Sequence, residues 1–158
     1  MSSAPVAPVP AARKTLVLDA NILIRAVLGR RVLSLLETYA SSVYFVAPEV
    51  AYADVATHLP DILRRRGLAH AAIAHLLEEA LERLPALVTP IPHDVYAGLE
   101  LEARRRLRGR DEADWPMVAL AVRLGCPIWT EDQDFFGSGI PTWTTDRVEI
   151  YLTSDALP

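Results

Sequence analysis

The chain has 158 residues, 51% of them hydrophobic and 23% charged, with a formal net charge of −4. A chain of that size and balance fills one globular domain with its own core, so a mini-protein and a tandem array are both excluded, and the acidic balance argues against a general polyanion binder. The single cysteine, Cys126, excludes a disulfide framework and a cysteine zinc site.

Residues 1–13 read as a flexible tail. Pro5, Pro8 and Pro10 interrupt alanine and valine there, and the stretch lacks the charged start and continuous apolar block of a secretory leader. No segment has the apolar length that crosses a bilayer, so a cytoplasmic protein is expected. Residues 14–158 are then one domain. Its first element is an apolar run of buried-strand type at 15–19, followed by a helix carrying Val32, Leu35, Leu36 and Tyr39 and a second strand at 43–46. A helix starts after Pro48 with Val55, Leu59, Ile62 and Leu63 on one stripe; the next carries Ile73, Leu76, Leu77, Leu81 and Leu84 and ends at Pro85. Residues 87–89 form a weak strand candidate. Val95, Leu99, Ala103 and Leu107 make a further helical stripe, and Met117, Leu120, Ala121 and Leu124 another, which Gly125 closes. Strands at 128–130 and 141–144 complete the chain. Strands separated by helices pair in parallel through right-handed crossovers, which predicts an α/β fold, a three-layer α/β/α sandwich around a central parallel sheet.

The acids fall at one kind of place in this pattern. Asp19 closes the first strand, Glu49 and Asp54 lie in the first turns of the helix after Pro48, Asp111 and Asp114 precede the helix bearing Met117, and Asp132 and Asp134 follow the strand at 128–130. Each alone is accounted for by helix capping or turn formation. Together they put carboxylates from four separate segments on the carboxyl rim of a parallel sheet, where such folds bind ligands. Two carboxylates about 4 Å apart repel by roughly 4 kcal/mol at an effective dielectric near 20. Such a cluster raises its own proton affinity or takes up a cation, and all-oxygen ligation selects Mg²⁺ or Mn²⁺. The four histidines, His58, His70, His75 and His93, lack ligand spacing with these acids and read as helix-surface residues.

Three blocks of the sequence resemble PIN-domain ribonucleases, including the VapC-type toxins of bacterial toxin–antitoxin pairs. They are Leu16-Val17-Leu18-Asp19-Ala20-Asn21-Ile22-Leu23, then Asp114 with Ala119 and Ala121, then Trp129-Thr130-Glu131-Asp132-Gln133-Asp134-Phe135. The likeness covers about residues 14–147. It implies a metal-dependent ribonuclease that hydrolyses single-stranded or loop RNA with Mg²⁺ or Mn²⁺. Asp19, Asp114 and Asp132 match the family's first, third and fourth acids, Asn21 and Thr130 its polar neighbours, and Asp134 a frequent additional acid. The family's second acid is generally a glutamate; here the matching position is Asp54, one methylene shorter, with Glu49 as the competing candidate. The resemblance further implies a homodimer neutralised by a small antitoxin.

Arginines cluster at 64–66 and 104–110; the first run reads as a solvated helix face, and Arg108 and Arg110 of the second are assigned to flanking phosphates. Trp115 is assigned to core packing, with base stacking as the alternative. The leucine stripes that include Leu59 or Leu76 suit either core or a dimer face. A haloacid dehalogenase-like phosphatase needs a second Asp where this chain has Asn21, and it also needs a downstream lysine, as does a phosphorylated receiver domain; the one lysine is Lys14. A PIN-like scaffold that binds RNA or protein with weakened metal affinity is the other reading of the same residues.

Overall fold

Strand β1 (Lys14–Leu18) is buried from Leu16 onward, as three successive apolar residues require, and it forms the middle of the sheet in a computed structural model that describes residues 13–155. The tail expected at 1–13 lies outside the described residues except for Arg13. Four parallel strands join β1: β2 (Val43–Pro48), β3 (Thr89–Ile91), β4 (Ile128–Trp129) and β5 (Thr142–Trp143), in the order β3-β2-β1-β4-β5. Leu16 pairs with Phe45 and Leu18 with Trp129. The chain therefore builds outward from β1 in one direction and then in the other, and the reversal falls between the carboxyl ends of β1 and β4. Open α/β sheets form their ligand crevice at that point.

The helices are α1 (Ala20–Leu28), α2 (Arg31–Tyr39), α3 (Glu49–Arg65), α4 (His70–Leu87), α5 (His93–Tyr96), α6 (Glu100–Arg106), α7 (Trp115–Leu124) and α8 (Val148–Thr153). Helix α7 packs on β1 and β2 and carries α5 and α6; in the other group α1 packs on α2 and α3, and α3 on α4. Seven successive residues of α7, Trp115 to Ala121, are buried, which explains a sequence with almost no polar face. Gly125 ends it in the left-handed region at φ 63° and ψ 42°, as expected of that glycine. Phe45 and Trp129 meet with ring centroids 6.3 Å apart at the centre of the core. Each such side chain, fully buried, contributes about 1.5–3 kcal/mol, so the strand ends next to them are held firmly.

Four expectations need correction. Helix α4 does not end at Pro85 but runs to Leu87, because a proline in the last turn forfeits a single hydrogen bond and the Val88 N–H still reaches the Leu84 carbonyl at 2.8 Å. Strand β3 starts at Thr89, two residues later than the candidate at 87–89. The stripe from Val95 to Leu107 is not one helix: a 3₁₀ turn at Ala97–Leu99 separates α5 from α6 and shifts the phase, leaving Val95 exposed while Tyr96, Ala103 and Leu107 are buried. Helices α1 and α8 are additions to the expected set. The four histidines are exposed and sit on helices, and Arg64, Arg65 and Arg66 are exposed at the end of α3. Leu59 and Leu63 are buried, and Leu76, Leu77 and Leu81 pack against the core, so core packing accounts for the leucine stripes. Among the described residues, no helix is long and apolar enough to cross a membrane.

Candidate metal centre

Asp19 leaves β1 at the reversal point and caps α1. Its Oδ1 accepts the Asn21 N–H at 2.7 Å, which satisfies one of the free amides of the first turn and places the carboxylate at the positive end of the helix. Its Oδ2 accepts the Asn21 side-chain amide at 3.1 Å and the Thr130 hydroxyl at 2.6 Å. Asp19 is only 7% exposed. Burial raises its proton affinity most, the Thr130 and Asn21 hydrogen bonds pull it back, and the Asp132 and Asp54 carboxylates push it up again.

The segment after β4 is wired to Asp19 through one hydroxyl. Thr130 donates to Asp19 and accepts the Asp132 N–H at 2.9 Å; Asp132 Oδ1 in turn accepts the Asp134 N–H at 2.9 Å, capping the 3₁₀ turn at Gln133–Phe135. From the opposite side, Asp111 caps the 3₁₀ turn at Glu112–Asp114 by accepting the Ala113 N–H at 3.0 Å. That division of labour matters. Asp111 performs the capping, and Asp114, which makes no side-chain cap, keeps its carboxylate for the cleft. Oxygen atoms of Asp114, Asp132 and Asp134 lie within 4.8 Å of one another. Burial, followed by repulsion from Asp111, Asp132, Asp19 and Asp134, pushes the Asp114 carboxyl up to about 7.

Asp54 completes the set from α3. It is partly buried, its carboxylate repels that of Asp19, and its own proton affinity is raised by burial, partly offset by His58. Glu49, the competing candidate, is exposed at the start of α3, and its charge bears on the Tyr96 phenol, whose proton affinity rises first through burial and then through Glu49. The structure thus brings Asp114, Asp132 and Asp134 together and links Asp132 to Asp19 through Thr130, while Asp54 bears on Asp19 by charge repulsion and Glu49 on Tyr96.

The residues fit a hard divalent cation. The donors are all oxygen, the composition that suits Mg²⁺ or Mn²⁺. Beside Asp19, Asn21 Oδ1 is buried without a hydrogen-bond donor among the described residues. A buried acceptor left without a partner costs about 1–3 kcal/mol, a penalty that a cation or its bound water removes.

Other sequence candidates land elsewhere. Arg108 and Arg110 are exposed on the turn that follows α6, and the Arg110 guanidinium lies against Gly137; neither pairs with an acid among the described residues. Arg104 and Arg106 pair with Glu100 at 2.8 Å and Glu102 at 2.9 Å. Trp115 is buried against Tyr96 and His93, with Arg104 over its ring, so it is a core residue. Lys14 donates to the Tyr151 carbonyl at 2.7 Å from the amino end of β1, the edge opposite the acids, consistent with the exclusion of a phosphatase that needs lysine in its site.

A family model described as the PIN domain matches residues 17–153. The chain belongs to the PIN-domain family. Solved structures share its fold: that of FitAB bound to a DNA fragment is 21% identical, covers 82% of this chain and 94% of its own, and has a TM-score of 0.59. VapBC2 from Rickettsia felis, bound to a DNA fragment from its promoter, is 12% identical over 82% of this chain and 98% of its own, with a TM-score of 0.60. FitAcB from Neisseria gonorrhoeae is 20% identical over 82% and 97%, with a TM-score of 0.57. No curated protein matches the sequence.

Two residues of the third sequence block, Trp129 and Glu131, shape the rim of this PIN domain through contacts that the sequence does not signal. Glu131, between Thr130 and Asp132, accepts the backbone N–H of Thr145 at 2.7 Å, tying the acidic segment to the loop after β5. Trp129 Nε1 donates to the Thr145 hydroxyl at 3.1 Å and makes the same tie from within the core. Bonds that span 14 or 16 positions leave no local mark. Helix α1 does leave a signal: an aspartate before an apolar-periodic run is a helix start, and Ile22, Leu23 and Ala26 are the buried face.

Proposed function

We propose that this PIN domain is a metal-dependent ribonuclease hydrolysing the phosphodiester bonds of single-stranded or loop RNA, and that it is the toxin of a toxin–antitoxin pair. The observation that carries the reading is the approach of Asp114, Asp132 and Asp134 within 4.8 Å beside the buried Asp19. Asp19, Asp114, Asp132 and Asp134 are the residues that would hold Mg²⁺ or Mn²⁺. Bound there, such an ion would acidify a water and offset the charge that develops on phosphate oxygens. Thr130 and Asn21 fix the orientation of Asp19 from two sides, so its carboxylate is set before substrate arrives. In this reading Asp54, whose proton affinity is raised by burial, would orient the attacking water and accept its proton as the water oxygen bonds to phosphorus and the P–O bond to the leaving ribose oxygen breaks. Arg108 and Arg110, exposed on the turn leading to Asp111, are free to meet a flanking phosphate.

The toxin assignment draws on the family and on the shared fold with FitAB and VapBC2, whose structures are bound to DNA. A small antitoxin covering the acidic cleft and a homodimeric assembly in the cytoplasm complete this reading. The shorter Asp54 in place of glutamate favours one other reading, a PIN scaffold with weakened metal affinity that binds RNA or protein. Incubation of the purified protein with labelled single-stranded RNA separates them. The ribonuclease reading expects cleavage that needs Mg²⁺ or Mn²⁺, stops with EDTA and is lost in Asp19→Asn with the fold intact; an unchanged rate in that variant overturns it.

A further inference from the structure

A strand of RNA approaching five carboxylates in a chain of net charge −4 needs cationic ground beside them. In the arginine-rich run at 104–110, Arg104 and Arg106 are paired with glutamates, which leaves Arg105, Arg108 and Arg110 to supply part of it. A different set converges in space without any cluster in sequence. Arg25 near the end of α1, Arg30 and Arg31 at the start of α2, and Arg66 just beyond α3 line one open concavity of about 460 Å³, with Thr145 on its wall and no carboxylate among its lining residues. All four arginines are exposed. Among the described residues, Arg25, Arg30 and Arg66 have no ion-pair partner; Arg31 shares its charge with Glu149 at 3.4 Å and with Asp146 nearby. A second concavity of about 490 Å³, lined by Arg30, Arg31, Ser34 and Thr38 but also by Glu149, adjoins it along α2 and is the less basic of the two.

The cleft is joined to the acidic rim by two routes, one hydrogen-bonded and one along a helix. Thr145 on its wall is held by Glu131, the residue between Thr130 and Asp132. Arg25 belongs to the helix that Asp19 caps, about 9 Å along the axis at 1.5 Å per residue. That axial offset puts Arg25 within the reach of a neighbouring nucleotide, and Arg66, twelve residues beyond Asp54 on α3 or about 18 Å along its axis, within the reach of a phosphate further along the strand.

We infer that the cleft formed by Arg25, Arg30 and Arg66 is a binding subsite for a backbone phosphate of a single-stranded RNA flanking the bond to be cut. Guanidinium groups bind phosphate oxygens in pairs, and converging unpaired arginines that meet no local acid lose least on engaging one. The inference rests on reading the acids as a ribonuclease site. Arg25, Arg30 and Arg66 are positioning residues: they set where the strand lies and do not touch the reacting phosphorus.

The test uses a fluorescein-labelled single-stranded RNA of about 12 nucleotides, with anisotropy measured in EDTA across a salt series and cleavage measured separately with Mg²⁺. R25Q/R30Q/R66Q is expected to weaken binding by about tenfold or more and to flatten the slope of log affinity against log salt by about 0.7 for each phosphate the variant no longer engages. Its KM for the RNA rises, while its rate on a dinucleotide, which has no flanking phosphate, is unchanged. R25K/R30K/R66K, which keeps the charge, restores most of the salt slope. Wild-type cleavage combined with an unaltered affinity and slope in the glutamine variant overturns the subsite and leaves the ribonuclease reading standing. A loss confined to duplex DNA also overturns it. Absence of metal-dependent cleavage by the wild type removes the ribonuclease reading and the subsite with it.

Discussion

The Thr130 hydroxyl donates to Asp19 Oδ2 at 2.6 Å across 111 positions of sequence, and both residues are buried where β1 and β4 end side by side. The same oxygen accepts the Asp132 N–H, so one side chain aligns two carboxylates. Thr130→Val keeps the shape and removes both bonds. A loss of about 1–3 kcal/mol in denaturant unfolding is expected, the range for stranding buried hydrogen-bonding groups. Because the bond to Asp19 favours the ionised carboxylate, its removal raises the proton affinity further, and the acid limb of the cleavage profile moves to higher pH. An unshifted limb contradicts the arrangement.

Stability of the metal-free protein should fall as pH rises. Asp114 is pushed from an ordinary 3.8 up to about 7, first by burial and then by its acidic neighbours, and Asp19 and Asp54 are raised in the same sense. Between about pH 4 and about pH 7 the folded state therefore holds protons that the unfolded chain has released, and stability declines through that window. In EDTA, the Tm is expected to be lower at about pH 8 than at about pH 5, and Asp114→Asn should melt above the wild type at the higher pH with a flatter dependence. A Tm that climbs through the window refutes the clustering.

Asp54 and Glu49 are separable by substitution. Asp54 repels Asp19 whereas Glu49 bears on Tyr96, so Asp54→Asn is expected to slow RNA cleavage by about tenfold or more and Glu49→Gln to change it by less than about twofold. The reverse ranking would make Glu49 the second acid.

Much of this site was legible because its residues obey local rules. Asp19, Asp114 and Asp132 each stand where a strand ends or a helix begins, and a parallel sheet with helical crossovers sends both kinds of place to one edge. The strand order was not legible, since β3 to β4 is a crossover that no neighbouring residues encode; only the reversal beside β1 makes the ends of β1 and β4 adjacent. The division between Asp111 as cap and Asp114 as free carboxylate also needed three dimensions, because both have the same residue type at a helix start. Which arginines of the second run are paired also needed three dimensions. Arg104 and Arg106 look like a basic patch in sequence, yet helical spacing of four hands each of them a glutamate.

Gly125→Ala tests the end of α7, which sets where β4 begins. At φ 63° an added Cβ meets no neighbouring atom, so the cost is backbone strain alone, about 1 kcal/mol by chemical denaturation. Cleavage per folded molecule should be unchanged, and a larger loss of activity than of stability would show that α7 also tunes the acids.

Calorimetric titration of Mn²⁺ into the metal-free protein and into Asp132→Asn tests the central claim most directly. Saturable binding by the wild type is predicted, with protons released as the Asp114 carboxyl ionises and with affinity lost in the variant. No saturation at millimolar Mn²⁺, or the same isotherm for both proteins, would contradict a cation site built from these acids.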